Sequence, residues 1–183
     1  KKQIREKIRR IQSHNGVDQN DHTGRGFDIT NYNFGKTDMM KPWTVIQELE
    51  ADNSRLKKEA IIKRESDADN KDFFDGVCMA LDGFRTFGIQ KVPTSNKDGA
   101  GLSWDVFYLV ARQMEERTLT GNDMRDAVDD LCGRATKEQW NDWYRRILIK
   151  DLRCGMTHKT VNKFSRYKVP VFDCMLATDS AKH

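Results

Sequence analysis

The chain has 183 residues, of which 37 % are hydrophobic and 33 % charged, and a formal net charge of +4. That length suits one ordinary domain with its own core and excludes two full-sized ones. No apolar run approaches the roughly 20 residues that cross a bilayer. The N-terminal KKQIREKIRRIQSHNG also lacks the continuous apolar stretch of a secretory signal, so a cytoplasmic address with no membrane partner is expected.

The net charge conceals a division: residues 1–40 carry +3, residues 41–135 carry −4 and residues 136–183 carry +5. The basic excess lies at the ends, which suggests a polyanionic partner for the C-terminal part. Cys78, Cys132, Cys154 and Cys174 contain no CxxC pair, and His14, His22, His158 and His183 are scattered. Neither a metal knuckle nor a redox motif is written there, and the cysteines read as buried free thiols.

Residues 1–39 read as an extension. Ile4, Ile8 and Ile11 make a thin apolar stripe on a basic helix, followed by SHNGVDQNDHTGRG, which has the composition of an exposed loop or linker. A short docking helix and a direct contact with nucleic acid or a membrane surface both fit that stripe. From Pro42 apolar residues recur at three- and four-residue steps almost throughout, with no alternating β-branched run of useful length, so the class is all-α.

Pro42 opens the first helix, with Trp43, Val45, Ile46 and Leu49 and a break around Asp52–Asn53–Ser54. A second runs from Ser54 through Leu56, Ala60 and Ile61. Asp67 or Asp69 is placed to cap a third, in which Phe73, Phe74, Val77, Cys78, Leu81 and Phe84 line a broad face until Gly88. KVPTSNKDGAGLS, residues 91–103, is a loop, and Ser103 is placed to cap a helix bearing Trp104, Phe107, Val110, Ala111 and Met114. Thr120–Gly121–Asn122 introduces the next, with Met124, Ala127, Val128 and Leu131. Thr136 and Gln139 have capping-box spacing and open a helix with Trp140, Trp143, Tyr144, Ile147 and Leu148, expected to end near Gly155. Thr157 can cap the last, which holds Val161 and Phe164 and stops before Pro170.

LTGNDMRDAVDDL (119–131) and LRCGMTHKTVNKF (152–164) echo each other: each runs from a leucine through a glycine turn into a helix. Two such turns on one face would present backbone amides to phosphates, with glycine allowing close approach. Around the second turn converge Arg145, Arg146, Lys150, Arg153, Lys159, Lys163, Arg166 and Lys168. A catalytic reading of Asp151, Cys154 or His158 lacks a partner acid, base or orienting group, whereas a phosphate-binding reading fits the cluster.

LTGNDMRDAVDDL, WYRRILIKDLRCGMTHKTVNKF and VPVFDCMLA together resemble the N-terminal helical DNA-binding domain of ATP-dependent DNA ligases, particularly the T-even-bacteriophage type. The resemblance covers about Met40 to Ala177, its most specific part being KDLRCG and the helix after it. It implies a helical domain over residues 40–177, a tail at 178–183 leading towards an adenylation domain, and a role in strand joining during replication and repair. Such a domain lies across the minor groove of nicked duplex DNA. Carried onto this sequence, Arg153 and Gly155 would hold backbone phosphates. Thr157, Lys159 and Asn162 would lie at the DNA-facing helix end, and Thr120, Gly121 and Asn122 would form the second turn. The basic cluster adds Arg146, Lys150 and Lys163. In many members the residue before the turn leucine is basic, but here it is Asp151.

Ligase chemistry requires a K-x-D-G lysine, and the Asp–Gly pairs at 75–76, 82–83 and 98–99 lack a lysine two residues ahead. By the resemblance this polypeptide is therefore non-catalytic alone and binds no cofactor itself, ATP and Mg²⁺ serving the full ligase. Its expected partners are duplex or nicked DNA and the adenylation and OB-fold domains, with the chain itself a monomer. A helical module that recruits a replication or repair partner is the alternative.

Overall fold

In a computed structural model the described residues are 40–171, which lie inside the expected domain. The N-terminal stripe and linker, Cys174 and the tail fall outside them. Among the described residues the fold is all-α: seven α-helices and one π-helical stretch, without strands. In chain order these are α1 (Pro42–Ala51), α2 (Arg55–Asp67), α3 (Lys71–Leu81), α4 (Trp104–Glu115), α5 (Gly121–Arg134), the π stretch Gln139–Tyr144, which runs directly into α6 (Arg145–Leu148), and α7 (His158–Phe164). No helix among them is long and apolar enough to cross a membrane.

The π stretch and α6 form the hub. Trp140, Trp143, Tyr144, Ile147 and Leu148 are all buried, and α1 packs on the π stretch while α3 packs on α6. The predicted capping box closes reciprocally: Gln139 N–H donates to Thr136 Oγ1 at 3.2 Å, and Thr136 N–H donates to Gln139 Oε1 at 3.1 Å. The widened backbone that follows differs from the plain helix expected. It places large aromatic side chains inward over a broad arc, with Trp143 stacked on Phe73 at 5.8 Å between ring centroids.

The hub also organises the 91–103 loop. Trp140 Nε1 donates to the Pro93 carbonyl at 2.7 Å, Tyr144 Oη to the Leu102 carbonyl at 2.8 Å and Asn141 Nδ2 to the Ser95 carbonyl at 2.8 Å, while Asn141 Oδ1 accepts from Ser95 N–H at 3.0 Å. Polar side chains of the hub thus satisfy backbone groups that a loop would otherwise leave to solvent.

Several boundaries depart from expectation. The third helix stops at Leu81, so Phe84 leaves the core face and is 64 % exposed. Its N-cap is Asn70, whose Oδ1 accepts from Phe73 N–H; neither Asp67 nor Asp69 serves. Ser103 and Thr120 occupy N-cap positions without side-chain bonds, whereas Thr157 Oγ1 accepts from Thr160 N–H.

The helix expected to reach Gly155 ends at Leu148. There Lys150 N–H donates to the Ile147 carbonyl and Asp151 N–H to the Arg146 carbonyl, both at 3.0 Å, with Lys150 left-handed at φ 59°. This is a Schellman motif, in which the left-handed position is usually glycine. The same pattern ends α2 at Asp69 (φ 56°) and α4 at Arg117 (φ 57°).

Gly76, in the middle of α3, is fixed by Trp143: a Cβ there would lie 2.3 Å from Cζ2 of that buried indole. Gly76→Ala is expected to cost about 1–3 kcal/mol through overpacking, read as a lower urea midpoint with unchanged slope.

Candidate nucleic-acid interface

The segment from Asp151 to Thr157 makes two left-handed bends, at Arg153 (φ 56°) and Gly155 (φ 65°), between the buried anchors Leu152, Cys154 and Met156. Asp151, the acidic departure from the ligase pattern, has a local use. Its Oδ1 accepts from Arg153 N–H at 3.0 Å and closes the turn in Asx fashion. Arg153 and Gly155 are exposed, as are Thr157, Lys159 and Lys163.

The convergent cations divide sharply. Arg146 is buried: its guanidinium meets Glu50 on α1 at 2.6 and 3.2 Å and Asp142 at 2.9 Å, and also donates to the carbonyls of Leu152 (3.0 Å) and Asn141 (3.2 Å). Lys150 is half-buried, its ammonium donating to the carbonyls of Asp82 and, at 2.8 Å, Arg85. Burial holds its pKa below the ordinary lysine value. Arg145 donates to the Val92 carbonyl at 3.2 Å, Lys168 to the Ser165 carbonyl at 3.0 Å, and Arg166 pairs with Asp69. Asn162 is also turned inward, donating to the Val169 carbonyl at 2.9 Å and accepting from Val169 N–H at 2.7 Å.

Arg153, Lys159 and Lys163 therefore remain directed to solvent, Arg153 with only a loose contact of 3.7 Å to Asp151. Arg146, Lys150 and Asn162 hold the surface on which the others stand.

Packing of α2 against α7 adds groups that are remote from the Gly155 turn in sequence. A groove of about 310 Å³ runs between them, bordered by Arg55, Lys58, Gly155, Lys159, Lys163 and Phe164, with Glu59 as its acid. Glu59 is paired with Arg55 at 2.7 Å. Lys163 and Phe164 also border an adjoining depression that contains Lys63, Arg166 and the acid Asp67, so cations outnumber acids there as well. The signal for α2 was the polar run SRLKKE, read there only for its apolar neighbours.

The second predicted turn differs in construction. Gly121 is also left-handed (φ 61°), and Leu119 is buried as Leu152 is, but Gly121 is the first residue of α5, whereas Gly155 precedes the N-cap Thr157 by two residues. Thr120, Gly121 and Asn122 are exposed and lie outside the groove described above. Among the described residues no cluster of His, Cys, Asp and Glu forms a metal-binding set. Cys154 is buried and its thiol is pushed up in pKa by that burial, as a packing residue requires and a nucleophile does not.

Two solved structures share this architecture. One, named Pmar-Lig_PreS3, matches with a TM-score of 0.73 and 43 % identity over 79 % of this chain and 34 % of its own. Another, named Pmar-Lig_Pre., matches with a TM-score of 0.73 and 42 % identity over 78 % of this chain and 34 % of its own. Both names mark ligase-related proteins. The chain is similar in sequence and fold to one part of them. It spans about a third of their length. No protein-family model and no curated protein matches it.

Two outcomes follow from this geometry. Arg146→Ala should cost about 3 kcal/mol in a urea titration, because two carboxylates and the Leu152 carbonyl lose their donor. Cys154 should resist a thiol-reactive disulfide reagent at pH 8 in the native protein and react at once in denaturant, since a raised pKa and burial both withhold the thiolate.

Proposed function

We propose that this chain is the DNA-binding domain of an ATP-dependent DNA ligase, gripping nicked duplex DNA through phosphate and sugar contacts along the minor groove. The observation that carries the reading is the 43 % identity to a ligase-related structure across most of the chain, with an exposed basic strip beside the L-x-x-G turn. The direct contacts in this reading are Arg153, Gly155, Thr157, Lys159 and Lys163, with Thr120, Gly121 and Asn122 at the second turn. Arg146, Lys150 and Asn162 act behind them as positioning residues. Recognition rests on the spacing and charge of the sugar-phosphate rails and involves no base-specific side chains, so affinity is spread evenly over sequences. The adenylation and OB-fold domains supply catalysis, ATP and Mg²⁺ and close around the other face of the duplex.

If about four to six phosphates are neutralised, log K for a short nicked duplex should fall with log salt at a slope of roughly −4 to −5. Salt-independent binding, or none, overturns the proposal. Arg153→Ala should weaken binding up to about tenfold, equally for unrelated sequences, and make the salt slope shallower by about one. An acidic residue at Gly155 should be more damaging, through repulsion and loss of close backbone approach. Unchanged affinity in both variants removes this turn from the interface.

A further inference from the structure

Lys58 occupies an unusual position for a lysine. It sits in the first half of α2 with only 9 % of its surface exposed, yet its ammonium faces the groove beside the Gly155 turn. A Cβ built on Gly155 would come within 2.8 Å of Nζ, so the ammonium stands directly over the glycine and uses the space that a side chain would fill. Among the described residues the ammonium makes a single hydrogen bond, to Asn53 Oδ1 at a long 3.3 Å. No described carboxylate forms an ion pair with it. The two nearest in sequence are bonded to other groups, Glu59 to Arg55 and Asp52 to Lys57 and Ser54 N–H, so that Asp52 acts on Lys58 only through space.

A lysine that is nine-tenths buried and whose ammonium has no bonded counter-ion is costly to the folded state. The three donors of an ammonium are also poorly satisfied by a single long bond to an amide oxygen. Such a group is retained where an anion completes the site. The surroundings fit one tetrahedral oxyanion: an ammonium from below, Lys159 and Lys163 at the rim with Arg55, which also neutralises Glu59 there, and a bare glycine backbone at the mouth. We infer that Lys58, standing over Gly155 in the groove between α2 and α7, is a preformed seat for one phosphate group.

This rests on the proposed function for the source of that phosphate, a nucleic-acid backbone, and extends it to a helix that precedes the turn motif by nearly a hundred residues. The same chemistry would take free inorganic phosphate, and the two sources can be separated. The structure also sets an opposed pair of effects. Removing the charge should stabilise the empty protein and weaken it as a binder, a combination that a purely structural lysine does not produce.

The test compares wild type with Lys58→Met, which keeps the stem and deletes the charge, and with Lys58→Arg, which keeps the charge. Thermal unfolding is measured in chloride and in phosphate at equal ionic strength, and nicked-duplex affinity over a range of salt. Phosphate is expected to raise the wild-type Tm above its value in chloride by more than it raises that of Lys58→Met, whose shift keeps only the general salt effect and the rim cations. In chloride, Lys58→Met should melt about 2–4 °C above wild type. Its duplex affinity should fall about tenfold with a salt slope shallower by about one, and Lys58→Arg should recover most of both.

Equal stabilisation of wild type and Lys58→Met by phosphate, or an unchanged affinity and slope for Lys58→Met, overturns the seat. A wild type that binds phosphate at Lys58 but no duplex overturns the proposed function and leaves the seat standing. If Lys58→Met fails to fold, Lys58→Gln replaces it. Failure of both makes the ammonium a structural group and ends the assignment.

Discussion

The buried guanidinium of Arg146 is the constraint around which this structure is arranged. It joins a carboxylate on α1, a carboxylate on the π stretch and the main-chain oxygen of Leu152, so three separate parts of the chain share one charge. Two anions and two carbonyls around one planar donor satisfy the geometry that a buried cation needs. The turn at 151–156, which alternates buried and exposed residues, is tied at that carbonyl, so its path past Arg153 and Gly155 is anchored to the hub. Sequence position alone would assign Arg146 to the surface with its basic neighbours; its two carboxylate partners come from α1, 96 residues away, and from one helical turn earlier.

Much of the architecture could be read from the chain. Helical periodicity located the five helices between Pro42 and Leu131, and the Thr136–Gln139 spacing forecast a reciprocal cap that the structure forms. Boundaries were harder where a helix end depends on a left-handed residue that is not glycine. Lys150, Asp69 and Arg117 carry no local stop signal, and the α6 helix therefore ended seven residues before the glycine that was expected to end it. The π widening at Gln139–Tyr144 has no sequence code either; α1 packs on it and its Trp143 stacks on Phe73 of α3.

The candidate site was half readable. Charge clustering found the Gly155 turn and the exposed Lys159 and Lys163, because those residues are close in sequence. It could not separate exposed cations from those bonded to carbonyls, since the carbonyls belong to residues 82, 85, 92 and 152. Lys58 and Arg55 were invisible for the converse reason: only the packing of α2 on α7 brings them to the turn.

The three left-handed helix ends have a common property. Asp69 binds Arg166 and Tyr167, Arg117 reaches Thr86 at 3.2 Å, and Lys150 holds the 82–85 backbone. At each, the side chain that makes the backbone uncomfortable is also the one that moors a remote segment. Glycine would relax the bend and cast off the mooring in the same step. A polar side chain at each of these corners thus joins two tasks, the bend and the attachment, that glycine would separate.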